Sequence, residues 1–374
     1  MSGSDLVRCI CRIRRIRRIR HWVAAGALVL LPACGLAVSS PLDDSARVLA
    51  RAVAKKDWPA ATDAARMAFK LRPDSALAAY NLACMLSRSG ELDEAVTLLG
   101  RSADLGFSYL STLLRDEDLD AVRSRPGYAA AYEAVKRNNA AELEKAKPAL
   151  DSVPLVTVEP KKKSSNEKES AVSAPTPLVV VLHGYGGTPE PLAEAFRGPA
   201  ARLGAILVAP RGQEKVGEGF GWGVVEQAEY LVLKAIDRTV AAHPEAASSP
   251  IVLAGFSQGG GVALTLAARY PARFAGVVSI AGYYEDRLNP LPSADQIAFV
   301  RYPRISFLIG ELDDSIANNR SSAARLRESG VAVRERYFPG LGHAFPPSQV
   351  REREIESALR FALEGKDSGE QAAR

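Results

Sequence analysis

The second half of the chain predicts a doubly wound, mostly parallel α/β sheet, and the first half an all-α region. Three observations carry this. From residue 178 onward, short apolar runs alternate with helical stretches, as a parallel sheet with crossover helices requires. Residues 43 to 147 are alanine-rich, helical in pattern and self-similar. A polar, charged tract from Pro160 to Ser170 is nearly devoid of apolar residues and reads as a flexible loop.

At the start, Arg8 to Arg20 holds seven arginines and no acid, and Trp22 to Leu31 is mostly apolar. Ten residues of helix rise about 15 Å against a hydrocarbon core of about 30 Å, so residues 1–33 read as a signal peptide rather than a spanning helix. Leu31-Pro32-Ala33-Cys34 resembles a bacterial lipobox, which makes Cys34 the expected lipidated first mature residue. Pro32 departs from the usual small residue there, so cleavage without lipidation stays open. The expected destination is export to the bacterial cell envelope, with the membrane reached only through the lipid anchor, or otherwise the periplasm or medium. The net charge of +5 owes much to this segment, so it gives no argument for nucleic acid. Of four cysteines, only Cys34 and Cys84 lie beyond it, with Cys84 expected as a small core residue. No cysteine and histidine spacing suggests zinc, and no metal or cofactor is expected.

In the helical region, Asp57-Trp58-Pro59-Ala60-Ala61 aligns with Glu91-Leu92-Asp93-Glu94-Ala95 at an offset of 91 minus 57, or 34 residues. That is the tetratricopeptide period. Ala61, Ala68 and Pro73 in the first unit, and Leu82, Ala83, Gly90, Ala95 and Leu99 in the second, fall where such repeats want small and apolar residues. Two repeats are few, because each buries its apolar face on neighbours. Residues 103 to 135 are expected to close the array. A plain helical bundle is the alternative. A repeat groove can bind a peptide or partner protein, or simply position the second half of the chain.

The strands of the second half are expected at Leu178 to Leu182, Ile206 to Ala209, Ile251 to Ala254, Gly276 to Ala281, Ile305 to Ile309 and Val333 to Phe338. Their apolar residues run without alternation in the first of these, as burial on both faces demands. Leu155 to Val158 reads as an earlier strand. The lysine tract therefore becomes a loop, 160–176, inside a domain of residues 148–366, with the boundary near Lys147-Pro148 and a disordered tail at 367–374. From Tyr283 to Tyr302 one longer irregular segment is available to drape over a cleft, and it is short for a lid domain.

Gly255-Phe256-Ser257-Gln258-Gly259 lies between a strand and a helical stretch through Arg269. This is the spacing of a nucleophile elbow, where a serine on a tight strand-to-helix turn stands exposed at a helix N-terminus. Such a serine needs a base and an acid to orient that base. Of four histidines, His21 lies in the leader, His183 belongs to another motif and His243 precedes Pro244. His343, in Gly340-Leu341-Gly342-His343 after the last strand, remains as the base. The acid should follow the preceding strand, where Glu311, Asp313 and Asp314 come after Gly310. Asp313 fits best and Asp314 is the runner-up. Oxyanion donors are expected from the Gln258 amide and from the Tyr185 amide in His183-Gly184-Tyr185-Gly186-Gly187, with His183 bracing that loop.

The motifs LHGYGG, GFSQGG, the Gly310-to-Asp313 loop and GLGH, in this order, resemble the α/β-hydrolase superfamily. Within it they are similar to compact carboxylesterase, phospholipase and polyhydroxybutyrate-depolymerase-like esterases. The resemblance covers roughly the second half of the chain. It implies a serine esterase with Ser257, Asp313 and His343 as triad and Tyr185 and Gln258 as oxyanion donors, acting on a small-molecule or polymer ester. Pro210-Arg211-Gly212 leading to Gly221-Trp222 lies near the substrate cleft in similar enzymes, so Trp222 is either a substrate contact or ordinary packing. A prolyl-oligopeptidase-like peptidase shares the triad, but the chain lacks a propeller-sized upstream domain. A repeat scaffold carrying a catalytically silent hydrolase fold is the alternative of a different class.

Overall fold

The computed structural model describes residues 41–159 and 176–364, apart from 286, 290–291, 293–296 and 298–301. The expected signal peptide, Cys34, nearly all of loop 160–176, the tail 367–374 and much of the irregular segment after Tyr283 lie outside these residues. The chain divides into two compact units at Lys145 and Ala146, against an expected boundary near Lys147-Pro148. That division falls inside a single helix.

The first unit is helical. Its elements are α1 (Pro41–Lys55), α2 (Trp58–Leu71), α3 (Ala76–Ser89), α4 (Leu92–Asp104), α5 (Leu110–Arg115), a 3₁₀ turn (Glu117–Val122) and the start of α6 (Tyr128–Asp151). Local chemistry sets the helix ends. Asp57 caps α2 by accepting from the Ala60 amide, with Pro59 in the first turn, and Ser75 caps α3 by accepting from Ala78. Gly90 ends α3 in the left-handed conformation at φ 88°, where a side chain would be strained. The starts of α2 and α4 stand at the 34-residue offset, and Ala61 and Ala95, equivalent under it, are both 0% exposed. Leu82, Ala83, Leu86, Leu99 and Phe107 fill the shared core. Cys84 is a buried free thiol there, and burial pushes its pKa up, which keeps it protonated.

The second unit is built on a seven-stranded sheet ordered β1-β3-β2-β6-β7-β8-β9. Its strands are β1 (Leu155–Val158), β2 (Leu178–Leu182), β3 (Ile206–Pro210), β6 (Ile251–Phe256), β7 (Gly276–Ile280), β8 (Arg304–Gly310) and β9 (Val333–Phe338). All pairings are parallel except β1 with β3. The short strands β4 (Glu214–Val216) and β5 (Gly219–Gly221) form a separate antiparallel hairpin. Helices α7 (Pro189–Arg202), α8 (Val225–Ala242), α9 (Gln258–Arg269), α10 (Ile316–Glu328) and α11 (Ser348–Glu364) connect or follow the strands.

Alternation of side chains explains how two layers of helix share one sheet. Val179, Val181, Val252, Ala254, Val278 and Ile280 enter one cluster with Phe196 of α7 and Ile355, Ala358 and Leu359 of α11. Leu178, Val180, Leu182 and Leu253 point the other way and are also fully buried. Both faces are therefore covered, so the strands read as unbroken apolar runs. This is the α/β-hydrolase fold, with an all-helical region ahead of it. Among the described residues no helix is long and apolar enough to cross a membrane.

Phe196 is 0% exposed beneath the sheet. Phe196→Ala should cost about 3–5 kcal/mol through lost burial and the cavity left behind. The check is the shift of the second unit's urea midpoint, and a shift worth less than about 1 kcal/mol would show the position is not part of a packed layer.

Candidate active site

The site gathers at the carboxyl ends of the parallel strands, where loops after β2, β6, β8 and β9 converge. β6 runs straight into α9 through Ser257. Its backbone sits at φ 53° and ψ −117°, outside the allowed regions for an ordinary side chain, a strain of about 1–3 kcal/mol. Two glycines make the turn feasible. A Cβ on Gly255 would stand 2.3 Å from the Gly259 carbonyl carbon, and one on Gly259 would stand 2.0 Å from the Leu182 oxygen. The Ser257 amide donates to the Ile280 carbonyl at 2.9 Å, which ties the turn to β7.

His343 arrives on the loop after β9, with Nε2 2.8 Å from Ser257 Oγ and Nδ1 2.8 Å from Asp313 Oδ2. With Nδ1 protonated, Nε2 is free to accept the serine proton. Phe256, the residue before the serine, lies 5.3 Å from the imidazole and stacks on Phe345 at 4.6 Å, giving the base an apolar floor.

Asp313, and not Asp314, meets His343. Asp313 is 3% exposed, whereas Asp314 faces solvent. The second oxygen of Asp313 accepts from the Ser315 amide at 2.8 Å and from the Ser315 hydroxyl at 2.7 Å. Asn319 extends this support, donating to Ser315 Oγ at 3.2 Å and to the Gly282 carbonyl at 2.8 Å. Burial pushes the Asp313 pKa up, but hydrogen bonds from His343 and Ser315 outweigh it and hold the carboxyl below its ordinary value. Ser315 and Asn319 escaped the sequence reading. The Asp-x-Ser spacing, which lets a carboxylate accept from the residue two positions on, was the available signal.

The loop after β2 carries Tyr185, which is 46% exposed. His183 lies buried beneath it. Its Nε2 accepts from the Gly212 amide at 2.9 Å, so Nδ1 holds the proton and donates to the Gly184 carbonyl at 2.8 Å. Burial lowers the His183 pKa, which keeps the ring in this neutral form. Trp222 is 1% exposed, stacks on His183 and donates its indole N–H to the His183 carbonyl at 2.7 Å. Of the two roles open to Trp222, packing is the one it occupies: the ring has no surface to offer a substrate, which corrects its assignment as a substrate contact. The Trp222 amide donates to Gln258 Oε1 at 3.2 Å, so the Gln258 side chain faces the Trp222 segment while its backbone amide opens α9. Among the described residues, no group of three or more His, Cys, Asp or Glu side chains is arranged to hold a metal.

Residues 205–364 match the dienelactone hydrolase family, a stretch that holds Ser257, Asp313 and His343 but not the Tyr185 loop. NocK of Nocardia uniformis subsp. tsuyamanensis, which carries an esterase name, is 35% identical over 115 residues, or 28% of this chain and 33% of that protein. The chain thus spans about a third of the length of the curated relative it matches. Among solved structures, esterase PE8 is 20% identical over 56% of this chain and 99% of its own, with a TM-score of 0.44. An S-formylglutathione hydrolase from Agrobacterium tumefaciens is 16% identical over 56% of this chain and 88% of its own, with a TM-score of 0.42.

The depressed Asp313 pKa has a signed consequence for stability. The contribution of the ionised carboxylate is fully present above the ordinary carboxylate value, about 4, and is lost as pH falls through the lowered folded value. Asp313→Asn should therefore be less stable than wild type at pH 6, with the gap in urea midpoint closing as the pH is taken below 4. A gap unchanged from pH 6 to pH 3 would contradict the assignment of the lowered pKa to this network.

Proposed function

We propose, from the premise that this chain carries an α/β-hydrolase-superfamily domain, that it is a serine hydrolase of carboxylic esters working through an acyl-enzyme. One observation carries the proposal: Ser257 Oγ, His343 and Asp313 form a continuous hydrogen-bonded chain, with the serine on a strained strand-to-helix turn. The esterase name of the curated relative and the family matched by residues 205–364 support the same chemistry.

In this reading Ser257 attacks the ester carbonyl as His343 Nε2 takes the hydroxyl proton. Asp313 stabilises the imidazolium by accepting from Nδ1, and its own bonds to Ser315 keep it ionised. The tetrahedral oxyanion is held by the amides of Tyr185 and Gln258, the latter at the positive end of α9. Collapse expels the alcohol, which leaves with the proton from His343. Water, deprotonated by the same imidazole, then attacks the acyl-serine and releases the acid and free Ser257.

Roles for the rest of the chain fit the same reading. The two helical hairpins at the 34-residue offset act as tetratricopeptide-like repeats able to take a protein partner, supported by the buried Ala61 and Ala95 pair. Residues 1–33 direct export and Cys34 carries lipid, supported by the arginine cluster, the apolar run and the lipobox-like Leu31-Pro32-Ala33-Cys34.

With p-nitrophenyl esters of increasing acyl length, Ser257→Ala and Asp313→Asn should each lower kcat by roughly 10⁴-fold or more, with far-UV circular dichroism unchanged. Asp314→Asn should leave kcat within about threefold of wild type. Wild-type turnover by folded Ser257→Ala would remove the proposal.

A further inference from the structure

The peptide between Gly184 and Tyr185 is held in a way that reaches beyond the triad. Because a trans peptide is planar, the direction of the Tyr185 N–H is set by that of the Gly184 C=O. The Gly184 oxygen accepts twice, from His183 Nδ1 at 2.8 Å and from the Gly187 amide at 3.0 Å. The next residues are clamped by the β4–β5 hairpin: the Gly186 amide donates to the Phe220 carbonyl at 2.9 Å, and the Phe220 amide donates to the Gly187 carbonyl at 2.9 Å. Gly187 and Phe220 thus form an isolated antiparallel bridge between the loop and the hairpin.

Beside this bridge, position 219 admits only glycine. A Cβ on Gly219 would stand 2.0 Å from the Gly186 oxygen and 2.9 Å from the Gly187 oxygen, both backbone atoms that cannot rotate away. A Cβ on Gly212, whose amide fixes His183, would stand 2.4 Å from the Gly221 oxygen. The hairpin is anchored in turn through Phe220, whose ring has Arg211, outside the hairpin, at 4.1 Å, and it is braced internally by Lys215 of β4 at 4.8 Å from the same ring.

We propose that the β4–β5 hairpin, through Gly219 and Phe220, is a positioning element that aims the Tyr185 amide at the developing oxyanion. The proposal rests on the ester-hydrolase reading above. Gly219 and Phe220 act through the loop backbone and touch no reacting atom. Displacing the loop should therefore weaken binding of the tetrahedral state more than binding of the ester.

The test compares Gly219→Ala with Glu218→Ala, a change at an exposed position on the same hairpin. In Gly219→Ala, kcat should fall about 10- to 300-fold, approaching the 10²–10³ typical of losing one oxyanion donor, with KM within about threefold. Affinity for an arylboronic acid, which forms a tetrahedral adduct on the serine, should fall in proportion. Glu218→Ala should match wild type in all three. Phe220→Leu keeps the backbone bonds but removes the ring under Arg211 and Lys215, so it should show a smaller fall in kcat and boronate affinity, and it serves if Gly219→Ala does not fold. A folded Gly219→Ala with wild-type kcat and boronate affinity, or a Phe220→Leu unchanged in both, would overturn this proposal while leaving the esterase reading standing. Wild-type protein without Ser257-dependent turnover would remove both together.

Discussion

The strained turn at Ser257 is the constraint on which the rest of the site depends. A helix can begin this close to the end of a buried strand only if no side chains stand between them, and Gly255 and Gly259 meet that condition with backbone approaches that would place a Cβ 2.3 Å and 2.0 Å from neighbouring backbone atoms. The contact partner of Gly259 is Leu182, the last residue of β2. The elbow is therefore pressed against the strand that launches the Tyr185 loop, and one packing requirement brings Ser257 and that loop together.

The parallel sheet supplies the remaining convergence. β2, β6, β8 and β9 all present their carboxyl ends on the same side of the sheet, so each contributes one loop to the site. The parts differ in how they are held. Ser257 is fixed by backbone geometry, Asp313 by hydrogen bonds from Ser315 and His343, and His343 by Asp313 and the Phe256–Phe345 stack. The Tyr185 amide is held by main-chain bonds and by a buried neutral His183. His343 is left 46% exposed on its side chain, between a buried Asp313 and a rigid Ser257, and is the accessible member of the hydrogen-bonded chain.

Much of this was legible in the sequence for identifiable reasons. Strands buried on both faces must be apolar throughout, so Leu178 to Leu182 announces itself, and the elbow must have glycines at fixed spacing. His343 followed from the small number of histidines. The spacing past Gly310 favours Asp313 over Asp314, and the structure separates the two by the way the loop turns them, Asp313 buried against His343 and Asp314 exposed. The β4–β5 hairpin was not legible at all. Its strands have three residues each, Glu214–Val216 and Gly219–Gly221, too short for alternation to register, and their glycines serve contacts with a loop distant in sequence. Trp222 read ambiguously because a tryptophan near a cleft is equally suited to lining it or to supporting it. Its burial and the indole N–H on the His183 carbonyl separate the two.

The central claim is that Ser257 is the nucleophile, and it is tested most directly by treating the folded full-length chain with a fluorophosphonate and mapping the adduct by peptide mass spectrometry. The account predicts one stoichiometric adduct on the peptide containing Ser257, abolished in Ser257→Ala and slowed in His343→Ala. Labelling at another serine, or none on a folded protein that hydrolyses esters, would contradict it.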